Sequence, residues 1–289
     1  MQSISNDVLQ VTISAKGAEL QNIQHLENGL EYLWNGDANF WGKKSPVLFP
    51  IVGGLKNGEY KHNGKTYKLG RHGFAREMEF EVTNSTNQSV EYTLTSNEQT
   101  LAVYPFEFDF KIIYSLKENI LTCTYIVTNS GNDNMYFSCG AHPAFAVPLT
   151  NNTTFEDWFL EFSSIENVGK WPLSNDGLIL QQPIDCLNNT NQLPLSKSLF
   201  YKDALVFKNL SSNKISIVST KSPHGLTMQF NDFPYYGIWS AKDANFVCLE
   251  PWCGIADNTE TTGLLEQKEG IIKLTPKDIW QKNWQVTLF

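Results

Sequence analysis

Two ionisable residues stand immediately before a proline: Glu250 in Phe246-Val247-Cys248-Leu249-Glu250-Pro251-Trp252-Cys253-Gly254, and His142 in Cys139-Gly140-Ala141-His142-Pro143-Ala144-Phe145. A proline steers the preceding residue out of helical dihedrals, so local sterics fix part of each side chain's direction. The glutamate ends an apolar run of strand character, and Pro251, which has no N–H for a ladder, is expected to end the pairing there. A carboxylate so placed, with Trp252 as a flat wall beside it, can act as a general base or grip a ligand hydroxyl. Histidine titrates near neutrality and can give and take a proton within one cycle. Taken singly, each has a plain structural explanation: a strand-end glutamate facing water, and a hydrogen-bonded core histidine. The shared setting weighs toward a functional role for both.

The chain has only two arginines, Arg71 and Arg76, and they bracket His72 in Gly70-Arg71-His72-Gly73-Phe74-Ala75-Arg76. A guanidinium offers a planar fork of donors suited to carboxylates, phosphates or vicinal hydroxyls. The pair therefore hints at ligand contact, although one arginine could instead neutralise a core acid while the other is solvated. In extended geometry His72, Phe74 and Arg76 share a face. A donor, an apolar ring and a fork side by side make an arrangement suited to a sugar. Asp203, entering the apolar run Ala204-Leu205-Val206, could hold ligand hydroxyls or simply close a turn. His25, His62 and His224 carry no chemistry in this reading.

Other mechanisms find no footing. There is no G-x-S-x-G elbow, glycine-rich phosphate loop, H-E-x-x-H or dinucleotide fingerprint. Cys139 and His142 lie three apart on an expected strand, hence on opposite faces, which argues against a thiol–imidazole dyad. Five scattered cysteines, Cys123, Cys139, Cys186, Cys248 and Cys253, lack the close pairs of a zinc site and read as reduced core thiols. No metal and no cofactor are expected. A net charge of −8 and a pI near 5.2 argue against a nucleic-acid partner. The first residues do not form a charged-then-apolar leader, and no apolar run approaches the roughly 18 residues that would span a bilayer. The expectation is a cytoplasmic protein without membrane partners.

The elements that must position these residues are strands. Val8–Ser14, Glu77–Thr83, Val90–Ser96, Glu107–Leu116, Ile120–Thr128, Met135–Val147, Lys214–Ser219, Leu226–Phe230, Ile271–Leu274 and Trp284–Leu288 all have strand character. Most of them alternate apolar and polar residues, as a strand with one buried face does. Asn28-Gly29, Asn35-Gly36, Asn57-Gly58 and Asn63-Gly64 mark tight turns. The best helix candidate is a short one within Glu260–Lys268, closed by Gly270. Asn-rich Pro183–Ser196 reads as a long loop. The pattern predicts an all-β sandwich or barrel in one domain, residues 1–289.

Four motifs together resemble the aldose 1-epimerase, or galactose mutarotase-like, family: R-H-G-F-A-R at Arg71–Arg76, G-A-H-P-A-F at Gly140–Phe145, L-E-P-W-C-G at Leu249–Gly254 and S-P-V-L-F-P-I-V-G at Ser45–Gly53. The resemblance runs from Gly17-Ala18-Glu19-Leu20 to the C-terminus. It looks closest to the branch with HGFAR and EPW motifs, which includes hexose-6-phosphate mutarotases. It implies a large antiparallel β-sandwich (the galactose mutarotase-like supersandwich) with a sugar cleft. Glu250 would match the family's general base, His142 its general acid, His72 its substrate-binding histidine and Asp203 its binding aspartate. Trp239 and Phe74 are candidates for apolar contact with the sugar ring, and Lys44 for a basic contact. The implied activity is interconversion of the anomers of an aldohexose or hexose 6-phosphate, with a homodimer as the assembly to look for. The alternatives are a non-catalytic carbohydrate-binding protein and a glycoside hydrolase built on Glu250 and Asp203.

Overall fold

Phe108–Lys117 and Ile120–Asn129 alternate buried residues with half-buried or exposed ones, as their sequences predict. They pair directly in antiparallel fashion, from Phe108 opposite Asn129 to Lys117 opposite Ile120. In the computed structural model, which describes all 289 residues, they lie within a nine-stranded antiparallel sheet. Its order across the sheet is Ile184–Pro194, Trp158–Lys170, Lys214–Ser219, Ser222–Gln229, Ile279–Leu288, Ile120–Asn129, Phe108–Lys117, Ser89–Thr95 and Glu81–Ser85. The buried face of this sheet shares one hydrophobic core with the N-terminal sheet (Gln2–Ser5, Leu9–Ile13, Leu20–His25) and with parts of a five-stranded sheet. The fold is therefore all-β and dominated by a large antiparallel sheet. No helix is long and apolar enough to cross a membrane.

Both outer strands of the large sheet pair irregularly. Ile184–Pro194 shifts register three times against Trp158–Lys170, and Glu81–Ser85 shifts once, between Val82 and Asn84. The first of these edges lies in the Asn-rich stretch that reads as a loop in sequence. An edge strand with polar residues on both faces has no alternation to reveal it.

Two further local expectations are corrected. The segment Met135–Val147 is not one strand but three short ones, Met135–Phe137, Cys139–Gly140 and Ala144–Ala146. Within Glu260–Lys268 only Leu265–Gln267 is helical, as a single 3-10 turn. The α-helix is instead Glu98–Val103, opened by a capping box in which Asn97 accepts from Thr100 N–H and Thr100 Oγ1 accepts from Asn97 N–H.

The five-stranded sheet carries the site. Its central strand, Phe246–Cys253, is buried at all eight positions and lies between Tyr235–Trp239 on one side and the Cys139–Gly140 and Ala144–Ala146 pieces on the other. Pro251 does not end it. In an antiparallel ladder a residue's N–H and C=O face the same neighbour. Pro251 C=O accepts from Ala141 N–H, so its missing N–H faces the break between those two pieces and costs one bond.

Candidate active site

That break is where His142 sits. Between Gly140 and Ala144 the chain leaves regular pairing, although Leu249 N–H still donates to Pro143 C=O, and His142 Nε2 comes to 3.3 Å from Glu250 Oε2. The two pre-proline residues thus meet across neighbouring segments of one sheet. Both are buried, Glu250 at 1% exposure and His142 at 8%. Their floor is the Trp252 indole, which lies in a slot made by two glycines. A Cβ on Gly140 would stand 2.6 Å from Trp252 Cδ1, and one on Gly237, directly opposite Glu250, 2.4 Å from Trp252 Cζ2.

Glu250, His142, His72, Arg71, Arg76, Asp203 and Trp239 all line one cavity of about 580 Å³. Two residues singled out in the sequence lie elsewhere. The Phe74 ring packs edge-on to Phe49 and Tyr104 and parallel to Phe108, in the hydrophobic core. Lys44 Nζ donates to Gln21 C=O, 2.7 Å away. The reason for Phe74 is local geometry. His72–Gly73 is a turn with positive φ at both residues, and Ala75–Glu77 is a 3-10 turn, so the extended face expected for His72, Phe74 and Arg76 does not form.

The turn has its own logic. Phe49 C=O accepts from Phe74 N–H and Ala75 N–H, and a Cβ on Gly73 would lie 2.2 Å from that oxygen, so only glycine fits. His72 is clamped on the other side: its N–H donates to Gly53 C=O, and Gly53 N–H donates to His72 Nδ1 at 3.1 Å. Because Nδ1 accepts, a neutral ring carries its proton on Nε2, which is then its donor. Burial, with repulsion from His142, Arg76 and Arg71, holds the His72 pKa well below its ordinary value and keeps the ring neutral.

Glu250 and His142 are also shaped by burial. Burial, then repulsion from Asp203, pushes Glu250 well above the ordinary carboxylate range, with the Trp252 indole N–H and the Arg71 charge pulling the other way. Burial lowers His142 to about 3 against the effect of its own backbone carbonyl, and Arg76 and Arg71 push in the same direction as burial. Both shifts favour the uncharged forms, a protonated Glu250 beside a neutral His142.

Arg71 makes no ion pair with a carboxylate of the protein. Its guanidinium lies over Gly177, where a Cβ would stand 1.5 Å from Nη2. Arg76 Nη2 donates to Arg71 C=O, and Arg76 Nε is 4.0 Å from Glu77. Asp203 holds a φ of 119°, a region that side chains other than glycine rarely adopt, and Oδ1 accepts from Ala204 N–H at 2.7 Å. Strain of this kind persists where surrounding structure imposes it and clusters at functional sites.

Sequence reading missed Trp41 and Lys202 as parts of the lining, whereas Trp252, read there as a wall beside Glu250, does line it. The Trp41 ring stacks on His142, with centroids 5.0 Å apart at 27°, while Trp239 meets His142 edge-on at 5.6 Å. Trp41 lies about a hundred residues from His142 and outside every motif, so no local signal marks it. Lys202 could have been found as the neighbour of Asp203.

The chain matches the aldose 1-epimerase family over residues 1–262. It is 34% identical over 294 residues to the chromosomal LacX protein of Lactococcus lactis subsp. lactis, covering 99% of this chain and 98% of that one. A solved galactose mutarotase related enzyme from Lactobacillus acidophilus superposes with a TM-score of 0.95 at 37% identity, over 100% of this chain and 97% of that one. A galactose mutarotase-like protein from Lactobacillus casei ATCC 334 gives 0.94 at 31% identity over the full length of both. Together with the all-β sandwich and its sugar-sized cavity, these matches place the chain in the aldose 1-epimerase family of isomerases.

Proposed function

We propose that the protein interconverts the α and β anomers of an aldohexose 6-phosphate by general acid–base ring opening. The observation that carries this reading is the buried Glu250–His142 pair, 3.3 Å apart at the floor of the cavity. Anomer exchange removes the proton from the C1 hydroxyl while the ring oxygen gains one. One proton shared by two adjacent groups is sufficient for that. As substrate binds, the proton moves from Glu250 to His142 Nε2. Glu250 then takes the C1 hydroxyl proton while His142 gives its own to the ring oxygen. The open aldehyde turns about C1–C2, and closure on the other face reverses both transfers. His72 Nε2–H and Asp203 hold sugar hydroxyls, and Trp239 faces the ring.

Each acid–base partner typically contributes about 10²–10⁴-fold. Glu250→Gln and His142→Asn are each expected to lose that much turnover with the fold retained. Polarimetry on fresh α-glucose, α-galactose and glucose 6-phosphate measures it, and wild-type rates in both variants would sink the assignment.

The phosphate is supported by Arg71, which has no carboxylate of the protein to neutralise it, and by Lys202 on the same cavity. A charge-assisted contact is worth about 1.5–3 kcal/mol, or about 10–100-fold. Arg71→Ala should therefore raise KM for glucose 6-phosphate by that factor and leave glucose nearly unchanged. Equal effects on both sugars would remove the phosphate from the proposal. A hydrolytic reading has one observation behind it, since Asp203 and Glu250 line the same cavity and Asp203 raises the glutamate's pKa. Release of reducing sugar from a disaccharide would select it. Five free thiols, including Cys139 and Cys253 opposite each other on paired strands, support a reducing cytoplasmic setting.

A further inference from the structure

Cys248 has no part in the reaction proposed above, yet it sits against the reacting pair. Residues 248 and 250 point to the same face of the Phe246–Cys253 strand, and Ala144, two residues after His142, pairs with Cys248. The thiol is buried in a small apolar cluster with Trp34, Ala144, Ala244 and Phe246, packed by Trp41 and Trp239. Any small apolar side chain would fill that place; what a thiol adds is a soft donor atom.

The ligand atoms of His142, Cys248 and Glu250 all lie within 4.8 Å of one another, and all three residues are buried. Glu250 Oε2 and His142 Nδ1 have no hydrogen-bond partner, so the carboxylate oxygen facing the imidazole is unsatisfied. Two ligands bound tetrahedrally at about 2.05 Å from one zinc ion stand about 3.3–3.4 Å apart. His142 Nε2 and Glu250 Oε2 are already 3.3 Å apart. The Cys248 sulfur, within 4.8 Å of both, has only to approach further to complete the set. One nitrogen, one sulfur and one oxygen form a donor set for zinc-like ions, not for magnesium or calcium, which take oxygen. Three protein ligands leave the fourth position open toward the cavity, as in zinc sites that hold water or substrate.

We propose that His142 Nε2, Cys248 Sγ and Glu250 Oε2 form a binding site for a zinc-class divalent cation at the floor of the cavity, and that the cation excludes the sugar from the acid–base pair. The thiol and the Glu250 carboxyl each release a proton to solvent as the sulfur–metal and oxygen–metal bonds form. The charges of Glu250 and Asp203 face the ion, while Arg71 and Arg76 on the same cavity oppose it. Inhibition of anomer exchange rests on the function proposed above; binding of the ion does not.

The test is a zinc titration of the chelator-stripped protein against a chromophoric zinc indicator, without thiols or phosphate in the buffer. One ion per chain at micromolar concentration is expected, with no displacement by millimolar magnesium. Cys248→Ser and Cys248→Ala should each weaken binding at least about tenfold, keep anomer exchange in chelator within about twofold of wild type, and lose its zinc inhibition. Cys123→Ala should behave as wild type. No binding below about 100 µM zinc, or undiminished binding in both Cys248 variants, would overturn the site. Zinc binding in a protein that exchanges no anomer would leave the site standing and remove the proposed function.

Discussion

Glu250 and His142 are legible in the sequence as ionisable residues before prolines, but their meeting is not. A contact between residues 108 positions apart depends on which strands become neighbours, and the motif spacing does not state that. Their protonation state was not legible either. In sequence His142 reads as an ordinary imidazole, whereas burial takes it to about 3 and lifts Glu250 above its usual range. This sets the pH dependence. In the reaction proposed above the competent free enzyme carries one proton on the pair, so activity is expected to fall on the acid side only when His142 takes a second proton, near pH 3. It falls on the alkaline side when the raised Glu250 loses its own. In metal-free buffer, kcat/KM should therefore stay level through pH 4.5, the ordinary glutamate value. Rates read shortly after pH jumps check this, and an acid limb centred at 4.5 would count against the pair as described.

At the scale of elements, alternation made the central strands of the large sheet readable, because each has one buried face. The strand carrying Glu250 was half readable. Its apolar run is plain, but Pro251 suggests an end where there is none, because the effect of a proline depends on whether its missing N–H faces a partner or a gap. The extended face read for His72, Phe74 and Arg76 failed for a similar reason, since the Phe49–Gly73 approach that turns the chain is a long-range contact. The Gly177 turn shows such a dependence in testable form. Gly177 has φ +73°, and a methyl group there would collide with the Arg71 guanidinium. Gly177→Ala should cost about 1 kcal/mol in stability from backbone strain. It should also raise KM for glucose 6-phosphate about as much as Arg71→Ala does, with glucose turnover unchanged. Thermal melts and the two-sugar comparison read these separately, and an unaltered phosphate preference would detach Arg71 from that loop.

For the whole molecule, the all-β class and the site motifs followed from composition, turn dipeptides and resemblance, while the assignment of strands to sheets did not. A buried cluster that draws on both ends of the chain, from Ile4 to Leu288, supports one domain across residues 1–289. One such domain should unfold in a single calorimetric transition, with calorimetric and van't Hoff enthalpies equal. A second resolved transition would divide the chain.

The irregular outer strands of the nine-stranded sheet have a consequence for assembly. Regular open edges invite another chain to extend the sheet, and bulges and register shifts spoil that template. Here both borders are spoiled, at Ile184–Pro194 and at Glu81–Ser85. Two copies of this protein are thereby steered away from joining their nine-stranded sheets into one continuous ribbon.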